Sequence, residues 1–417
     1  MLSFSSKIFI IILFIIGLSS CSSQRETQDD ILHIKISDNE TEMQLYASDF
    51  VSDIEYIALE TNSQCLIGNP CNVSISENYI LVYSIKEVEF LLFSRTGKFI
   101  RKIGQMGNGP EDYLNSSYVI KIDEKSGMIF LMGIFEIYSY RITGEFVKKL
   151  ALKELFNAIG ISGIFERMHW RDDLFCANVN LNSGREPYRF IIFSLDGEIV
   201  KLFPNYIYFE TTSITGSTLN SSCIIFSYDK HIYFKEILCD TLFKINNQLE
   251  LVPEVIFDLP GKKIPTNMRA NYTYLNMSYF LVDEINKYEN YLFLGGNNLR
   301  WVYDLSKKKS TMIKPDMSII RDRIIQNAYV SRSSKTPFHG FTNDIDGGFA
   351  VFPYYRNIQN DKHLLSIYNS QELKQYLTDE YLATRKIKDM EAHKRLIKLL
   401  SELDEDDNPV LMIATVK

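Results

Sequence analysis

Short runs of alternating apolar and polar residues recur along the chain, and a glycine-containing turn joins many of them in pairs. Three stretches show the pattern most clearly: LLFSRTGKFIRKIG (91–104), IYSYRITGEFVKKL (137–150) and FIIFSLDGEIVKLF (190–203). Each is an alternating strand, a turn ending in glycine and a second alternating strand, which is the pattern of a β-hairpin. The turn glycines Gly97, Gly144 and Gly197 lie 47 and 53 residues apart. A repeat of about 40 to 50 residues is the period of a propeller blade.

Further copies bring the number of blades to six. TLFKINNQLELVPEVIFDL continues the series, and LRWVYDLSKKKSTMI follows as a weaker copy. FTNDIDGGFAVFPYY (341–355) and VLMIATVK at the C-terminus add strands, while IEYIALE (54–60) precedes the first copy without a partner. Joining the N- and C-terminal strands in one blade would close the ring and leave no exposed edge. The sequence therefore predicts an all-β fold, a six-bladed β-propeller over residues 46–417.

One segment departs from this pattern. Residues 371–405 contain neither glycine nor proline, and Leu396, Leu399, Leu400 and Leu403 recur at helical spacing. This predicts a C-terminal helical insertion that packs on the rim of the ring. Its charged side would serve either as a solvated cover or as a surface for a partner.

The first 20 residues have the pattern of a signal peptide. Lys7 is followed by an uninterrupted apolar run that is too short to span a bilayer. The run ends in Leu-Ser-Ser-Cys, which resembles the lipobox of bacterial lipoproteins and would make Cys21 the lipidated first residue. An ordinary cleaved signal peptide is the alternative. Residues 21–45 then form a polar tether and an N-terminal strand, and the expected location is the cell envelope, at the outer membrane, on its periplasmic or its outer side.

Composition narrows the range of partners and metals. The net charge of −7 argues against nucleic acid, which requires a basic surface. Besides Cys21 there are five cysteines, so a monomer keeps at least one free thiol. Cys65 with Cys71 is the easiest disulfide to form, because it closes a short loop, and the state of Cys176, Cys223 and Cys239 stays open. No CxxC pair or Cys/His cluster predicts a metal site.

Several separated segments carry a resemblance to a known family. YIALETNSQCLIG, KIGQMGNGPEDY, CDTLFKI, FTNDIDGG and DEDDNPVLMIATVK resemble segments of the six-bladed β-propeller lipoproteins of Bacteroidetes, which are NHL/TolB-like propellers. The resemblance implies the same fold and export to the envelope. It implies no catalytic residue.

The glycine-rich loop KIGQMGNGPEDY (102–113) is the first candidate site. Its glycines lead into carboxylates instead of a helix start with Lys and Ser or Thr, so phosphate binding is not expected. The loop joins the last strand of one blade to the first of the next, and it belongs on the face that carries these connections. Either the loop is a tight crossover in which Tyr113 fills the space between blades, or Asn108, Glu111 and Tyr113 contact a ligand.

Three other segments have two interpretations each. In RMHWRDD (167–173), Trp170 and Arg171 suit a sugar or peptide site, but a single Trp also suits the core. Asp240, between the second and third strands of a blade, would either face a ligand on the connection face or cap a turn. NDIDGG (343–348) partly matches a calcium loop but lacks its closing Glu, so we expect a hairpin turn on the opposite face. Calcium stays an alternative, and no other cofactor is predicted.

The predicted function is a lipid-anchored binding or scaffolding module that holds a glycan, peptide or protein on the connection face. The alternative is a propeller enzyme, a calcium-dependent hydrolase or lyase acting at the central channel. Catalysis would need acid, base or metal-binding groups that converge there. The chain has six histidines and neither a GxSxG nor an HExxH motif, and whether it is an enzyme stays open.

Overall fold

A computed structural model of the chain describes residues 31–37, 40–68, 71–114, 118–161, 165–181, 185–206, 208, 223–229, 231–236, 238–264, 279–326, 331–353 and 362–417. The predicted signal peptide, Cys21 and most of the tether lie outside these residues. Among the described residues, no helix is long and apolar enough to cross a membrane.

Five blades are antiparallel sheets in which four strands follow one another in chain order. Blade I contains β3 (Cys71–Ile75), β4 (Tyr79–Ser84), β5 (Glu89–Ser94) and β6 (Phe99–Lys102). Blade II contains β7 (Tyr118–Asp123), β8 (Met128–Gly133), β9 (Glu136–Arg141) and β10 (Phe146–Ala151). Blade III contains β11 (Phe165–Arg171), β12 (Leu174–Val179), β13 (Tyr188–Ser194) and β14 (Ile199–Pro204).

The series continues with two further blades of the same kind. Blade IV contains β15 (Cys223–Tyr228), β16 (His231–Glu236), β17 (Thr241–Ile245) and β18 (Leu251–Asp258). Blade V contains β19 (Glu284–Lys287), β20 (Tyr291–Gly296), β21 (Leu299–Asp304) and β22 (Lys309–Met312). The first strands of neighbouring blades I to V contact one another, which places them around the centre of the ring.

Blade VI joins the two ends of the described chain. Its sheet has the order β2 (Val51–Ala58), β26 (Val410–Val416), β25 (His363–Tyr368). Strands β2 and β26 are antiparallel, with Val51 opposite Val416 and Ala58 opposite Val410. On the inner side, Phe341 and Val351 form an antiparallel bridge. This confirms the predicted six-bladed propeller closed by N- and C-terminal strands.

The N-terminal segment does more than close the ring. Strand β1 (Leu32–Lys35) adds to the outer edge of blade IV, where it runs parallel to β18 with Leu32 opposite Val255. Farther along, Met43 bridges Ile313 after blade V, and Tyr46 bridges Thr342. A four-residue helix, α1 (Ala47–Phe50), then leads into β2. The segment therefore ties blades IV, V and VI together along the outside.

Helices occupy connections between strands. Helix α2 (Leu152–Ala158) lies between blades II and III. The predicted helical insertion comprises α3 (Ser370–Tyr376), α4 (Asp379–Ala383) and α5 (Met390–Glu402), all between β25 and β26. Asp389 begins α5 by accepting hydrogen bonds from the backbone of Glu391 and Ala392. Between blades V and VI, β23 (Asp316–Gln326) and β24 (Ser331–Phe338) form a separate hairpin.

The core consists of apolar layers between adjacent blades, because alternate residues of each strand face opposite neighbours. Six buried clusters correspond to the six blade interfaces. The cysteines from Cys65 to Cys239 are all thiols, so the Cys65–Cys71 disulfide is not formed. The Cys65 thiol instead donates to the carbonyl of Glu60 at 3.1 Å.

Candidate functional site

The two faces of the ring differ in where they bury charge. We call the face that carries the links from one blade to the next the connection face, and the other the turn face. Among the described residues, every buried Asp, Glu, Lys and Arg lies at the connection face. They are Glu186, Arg189, Lys235, Glu236, Asp316, Asp344 and Asp346. Buried charges are costly unless they are paired or serve a function, so this face is where a site is expected.

The first group of charges lies at the connection-face ends of blades III and IV. Arg189, near the start of β13, forms an ion pair with Glu236, at the end of β16. The Arg189 guanidinium lies 3.9 Å from the ring centre of Tyr206 and 5.4 Å from that of Phe234. Such cation–π contacts are strongest where water is excluded. The exposed Tyr206 ring is therefore held over a buried cation.

Lys235 precedes Glu236 on β16, and its buried side chain leaves the opposite face of the strand, towards blade V. Its ammonium group donates to the carbonyls of Glu236 at 2.9 Å and Val282 at 3.0 Å. Burial lowers the pKa of Lys235 to about 8, although neighbouring acidic groups favour the charged form. A pocket of about 10 Å³ adjoins it, and Cys239 and Asp240 also line this space. The pocket has room for about one water molecule.

Asp240, a predicted site residue, lies on the connection face as expected. Lys263 forms an ion pair with its carboxylate, and the Thr241 hydroxyl donates to it at 3.3 Å. Burial opposes ionisation of Asp240, but the bond and charge of Lys263 outweigh it and lower the pKa. The residue thus takes part in local bonding and lines the pocket at the same time.

The second group contains NDIDGG, and its position corrects a prediction. The segment does form the turn between Phe341 and Val351, which are bridged antiparallel, but it lies on the connection face beneath the helical insertion and not on the turn face. The Asp344 carboxylate accepts hydrogen bonds from the Ser48 backbone at 2.9 Å and from Lys388 at 2.8 Å. The backbone nitrogens of Lys388 and Asp389 donate to the carbonyls of Asp344 and Ile345. These bonds fix the start of α5 to the ring.

Asp346 is the most enclosed acid of this group. Its carboxylate accepts hydrogen bonds from Asn343 at 2.7 Å and from the Gly348 backbone at 2.8 Å, and the Tyr56 hydroxyl lies beside it. Burial raises the pKa of Asp346 to about 6 despite these donors. His393 of α5 bonds to the Asp346 carbonyl at 2.6 Å. This arrangement joins helix and ring, and its polar atoms point inward.

The glycine-rich loop satisfies most of its polar groups internally. The Tyr113 nitrogen donates to the Gln105 carbonyl at 3.0 Å, and the Gly107 nitrogen donates to the Tyr113 carbonyl at 3.1 Å. Asp112 accepts from the Gly109 nitrogen at 2.8 Å. The Tyr113 ring is buried between blades I and II, 4.7 Å from that of Phe90, and burial raises its pKa.

Asn108 and Glu111, the two other predicted residues of this loop, are exposed on the connection face. Trp170 lies elsewhere. It is buried between blades II and III, with ring centres 4.1 Å from Phe130 and 4.5 Å from Phe175. Arg171 ends β11 towards the turn face and donates to Asp172 at 2.9 Å. The predicted residues therefore do not form one site.

Exposed apolar side chains distinguish the connection face as well. Six large apolar residues are exposed on this face, in the links that leave blades VI, I and III and in one loop of blade II. They are Leu66, Met106, Leu114, Phe135, Tyr206 and Tyr208. In the described part of the turn face, no turn between strands exposes such a residue. Exposed apolar groups beside buried charges are typical of binding surfaces.

Sequence reasoning missed Arg189, Lys235 and Glu236. Each is a charged residue in a strand that is otherwise mainly apolar, YRFIIFS or HIYFKE. A charge in such a strand could have indicated a buried polar site. Within the described ranges, no group of three or more His, Cys, Asp or Glu side chains is arranged to hold a metal ion.

Comparison with known proteins agrees with this architecture. The model of the family described as "Domain of unknown function (DUF4934)" matches residues 31–415. The chain belongs to the DUF4934 family. Among solved structures, this DUF4934 chain is similar to a protein of Bacteroides fragilis NCTC 9343 that is thought to be exported. The two sequences are 17% identical, and the TM-score is 0.61. The match covers 93% of this chain and 99% of the other.

A second similar structure is a member of the DUF4221 family from Bacteroides vulgatus. It is 12% identical, with a TM-score of 0.49 over 88% of the DUF4934 chain and 97% of its own. No curated protein matched the sequence. At 17% identity, the likeness to the Bacteroides fragilis protein extends to the fold alone.

Proposed function

We propose that this DUF4934 protein is an exported binding module, held in the cell envelope by lipid on Cys21, whose connection face holds a glycan, peptide or protein. The observation that carries the proposal is the difference between the faces: one combines buried charges with exposed apolar side chains on its links, and no described turn of the other exposes a large apolar side chain. A rigid ring with varied links is suited to holding a partner and needs no catalytic group.

Tyr206 and Tyr208 are the strongest contact candidates. Both rings are exposed, at 53% and 61%, on the link that leaves blade III. An aromatic ring offers a large apolar area with little loss of side-chain entropy, and stacks on sugar rings and peptide side chains. Stacking on Arg189 holds Tyr206 in place before a partner arrives, which reduces the cost of ordering it.

Export and anchoring rest on other support. A protein of the same fold from Bacteroides fragilis is thought to be exported, and the N-terminus of this chain has the pattern of a lipobox. Replacing Cys21→Ser tests the anchor. We expect the wild-type chain in the membrane fraction with the mass of an acylated protein, and the variant in the soluble fraction. Equal membrane recovery of both would contradict lipid anchoring at Cys21.

The binding surface is tested with the chain from Ser22 onward on glycan and peptide arrays. The variant Phe135→Ser, Tyr206→Ser, Tyr208→Ser removes three exposed apolar groups of the connection face. A matched control, Ile199→Ser with Val200→Ser, removes exposed apolar groups of outer strand β14. For any array hit, we expect the first variant to bind at least about tenfold more weakly than the wild type. The control should bind as strongly as the wild type. A hit that the first variant retains would place the binding surface elsewhere.

A further inference from the structure

A polar bridge connects the inner strands of blades III and IV. His169 lies on β11 and Ser227 on β15, and these strands contact each other beside the central channel. The His169 Nε2 atom is hydrogen-bonded to the Ser227 hydroxyl, and both residues are half-buried. Neither belongs to the surface proposed above, because this bridge lies in the half of β11 nearer the turn face.

Two cations accompany the bridge. Arg171 follows His169 by two residues, so both side chains leave the same side of β11, opposite the buried Trp170. Lys121 comes from β7, the inner strand of blade II. Burial, followed by the charges of Lys121 and Arg171, lowers the pKa of His169 to about 3. The imidazole is therefore neutral at physiological pH and stands in a positive local field.

The Arg171 guanidinium has donor capacity beyond its ion pair. Its Nε donates to Asp172, while Nη1 is buried and has no hydrogen-bond partner among the described residues. The side chain as a whole is 13% exposed. A buried cationic donor is costly when it lacks an acceptor. We therefore expect this nitrogen to donate a hydrogen bond to an acceptor that is not among the described residues.

The arrangement is better suited to binding than to catalysis. A hydroxyl hydrogen-bonded to imidazole suggests a nucleophile with its general base. A useful base has a pKa near the working pH, and that of His169 is well below it. A neutral imidazole and a hydroxyl carry one polar hydrogen each; their mutual hydrogen bond uses one of them and leaves the other to donate, and the Arg171 cation adds favourable charge.

We propose that Arg171, His169 and Ser227 form an oxyanion-binding site in the wall of the central channel. Its ligand is an anion with several acceptor oxygens, either a phosphate or sulfate group or a carboxylate. Arg171 supplies the directed donors, and the His169–Ser227 bridge, which joins two blades, supplies one neutral donor. The site does not depend on the connection face.

Isothermal titration of the chain from Ser22 onward tests the site with three probes: inorganic phosphate, sulfate and acetate. Sodium chloride at equal ionic strength is the baseline. We expect at least one probe to bind, and Arg171→Gln to weaken its binding at least about tenfold, since hydrogen bonds to charged groups contribute that much. The matched control is Arg395→Gln, which removes an arginine of helix α5 that is paired with Asp53 at the surface.

The outcomes separate the possibilities. Binding of phosphate or sulfate identifies a phosphate or sulfate group, and binding of acetate alone identifies a carboxylate. Binding that Arg171→Gln and Arg395→Gln leave equally strong would mean an adventitious ion only, and would overturn the proposal. No binding of any probe would also overturn it. If circular dichroism shows that Arg171→Gln is unfolded, Ser227→Ala replaces it, with the same expected loss.

Discussion

The replacement Asp346→Asn tests how burial determines the charge of an acid beneath the helical insertion. Asp346 is 0% exposed, and burial raises its pKa from 3.8 to about 6. The folded protein therefore binds this proton more tightly than the unfolded chain does. The stabilisation that comes from this tighter proton binding is complete below pH 3.8 and is lost as the pH rises through 6.

The size of the effect follows from the two pKa values. A difference of about 2 pH units corresponds to about 3 kcal/mol of unfolding free energy, at about 1.4 kcal/mol per unit. Asparagine has nearly the same shape and no charge, so it resembles the protonated acid. Relative to wild type, the variant should gain about 2 kcal/mol between pH 4 and pH 8, because part of the change has already occurred at pH 4.

Urea unfolding of both chains at a series of pH values measures this difference, and other titrating groups cancel in the comparison. Asp344→Asn is the matched control. Burial opposes ionisation of Asp344 too, but bonds from Lys388 and Ser48 lower its pKa. That variant should lose stability relative to wild type as the pH rises. Parallel pH profiles for wild type and Asp346→Asn would refute the reasoning.

Two further predictions concern the ion pair and a turn. Arg189→Met should destabilise the fold by about 3 to 5 kcal/mol, because it leaves Glu236 without its buried cation. Adding Glu236→Gln should recover most of this loss in urea unfolding; a double variant as unstable as the single one would contradict the ion-pair argument. Gly97→Ala should cost more than Gly127→Ala, since both have positive φ but only at Gly97 would a Cβ lie 2.1 Å from the Ala58 carbonyl oxygen. Equal thermal midpoints would refute this.

Local patterns predicted the fold well where neighbours in sequence are neighbours in space. Hairpins around Gly97, Gly144 and Gly197 formed as expected, because their turn chemistry and alternation act within a few residues. The addition of β1 to blade IV had no such signal, since Leu32 pairs with Val255 far along the chain.

The candidate site was harder to predict for the same reason. NDIDGG has the composition of a hairpin turn, but the helices that cover it come from another part of the chain. Arg189 and Glu236 meet only because blades III and IV are adjacent. Asp240 was placed on the correct face because its position within a blade determined that face. Residue type alone did not show which charges would be buried together.

The closure of blade VI sets the order in which the ring is completed. Strand β26 lies between β2 and β25, so neither has its partner until the last residues of the chain are available. A chain that ends before Val410 would expose the edges of both strands. Since free strand edges promote aggregation, β2 stays prone to misfolding until the segment Val410–Val416 has been synthesised. A truncation of a few C-terminal residues would thus be more harmful than its length suggests.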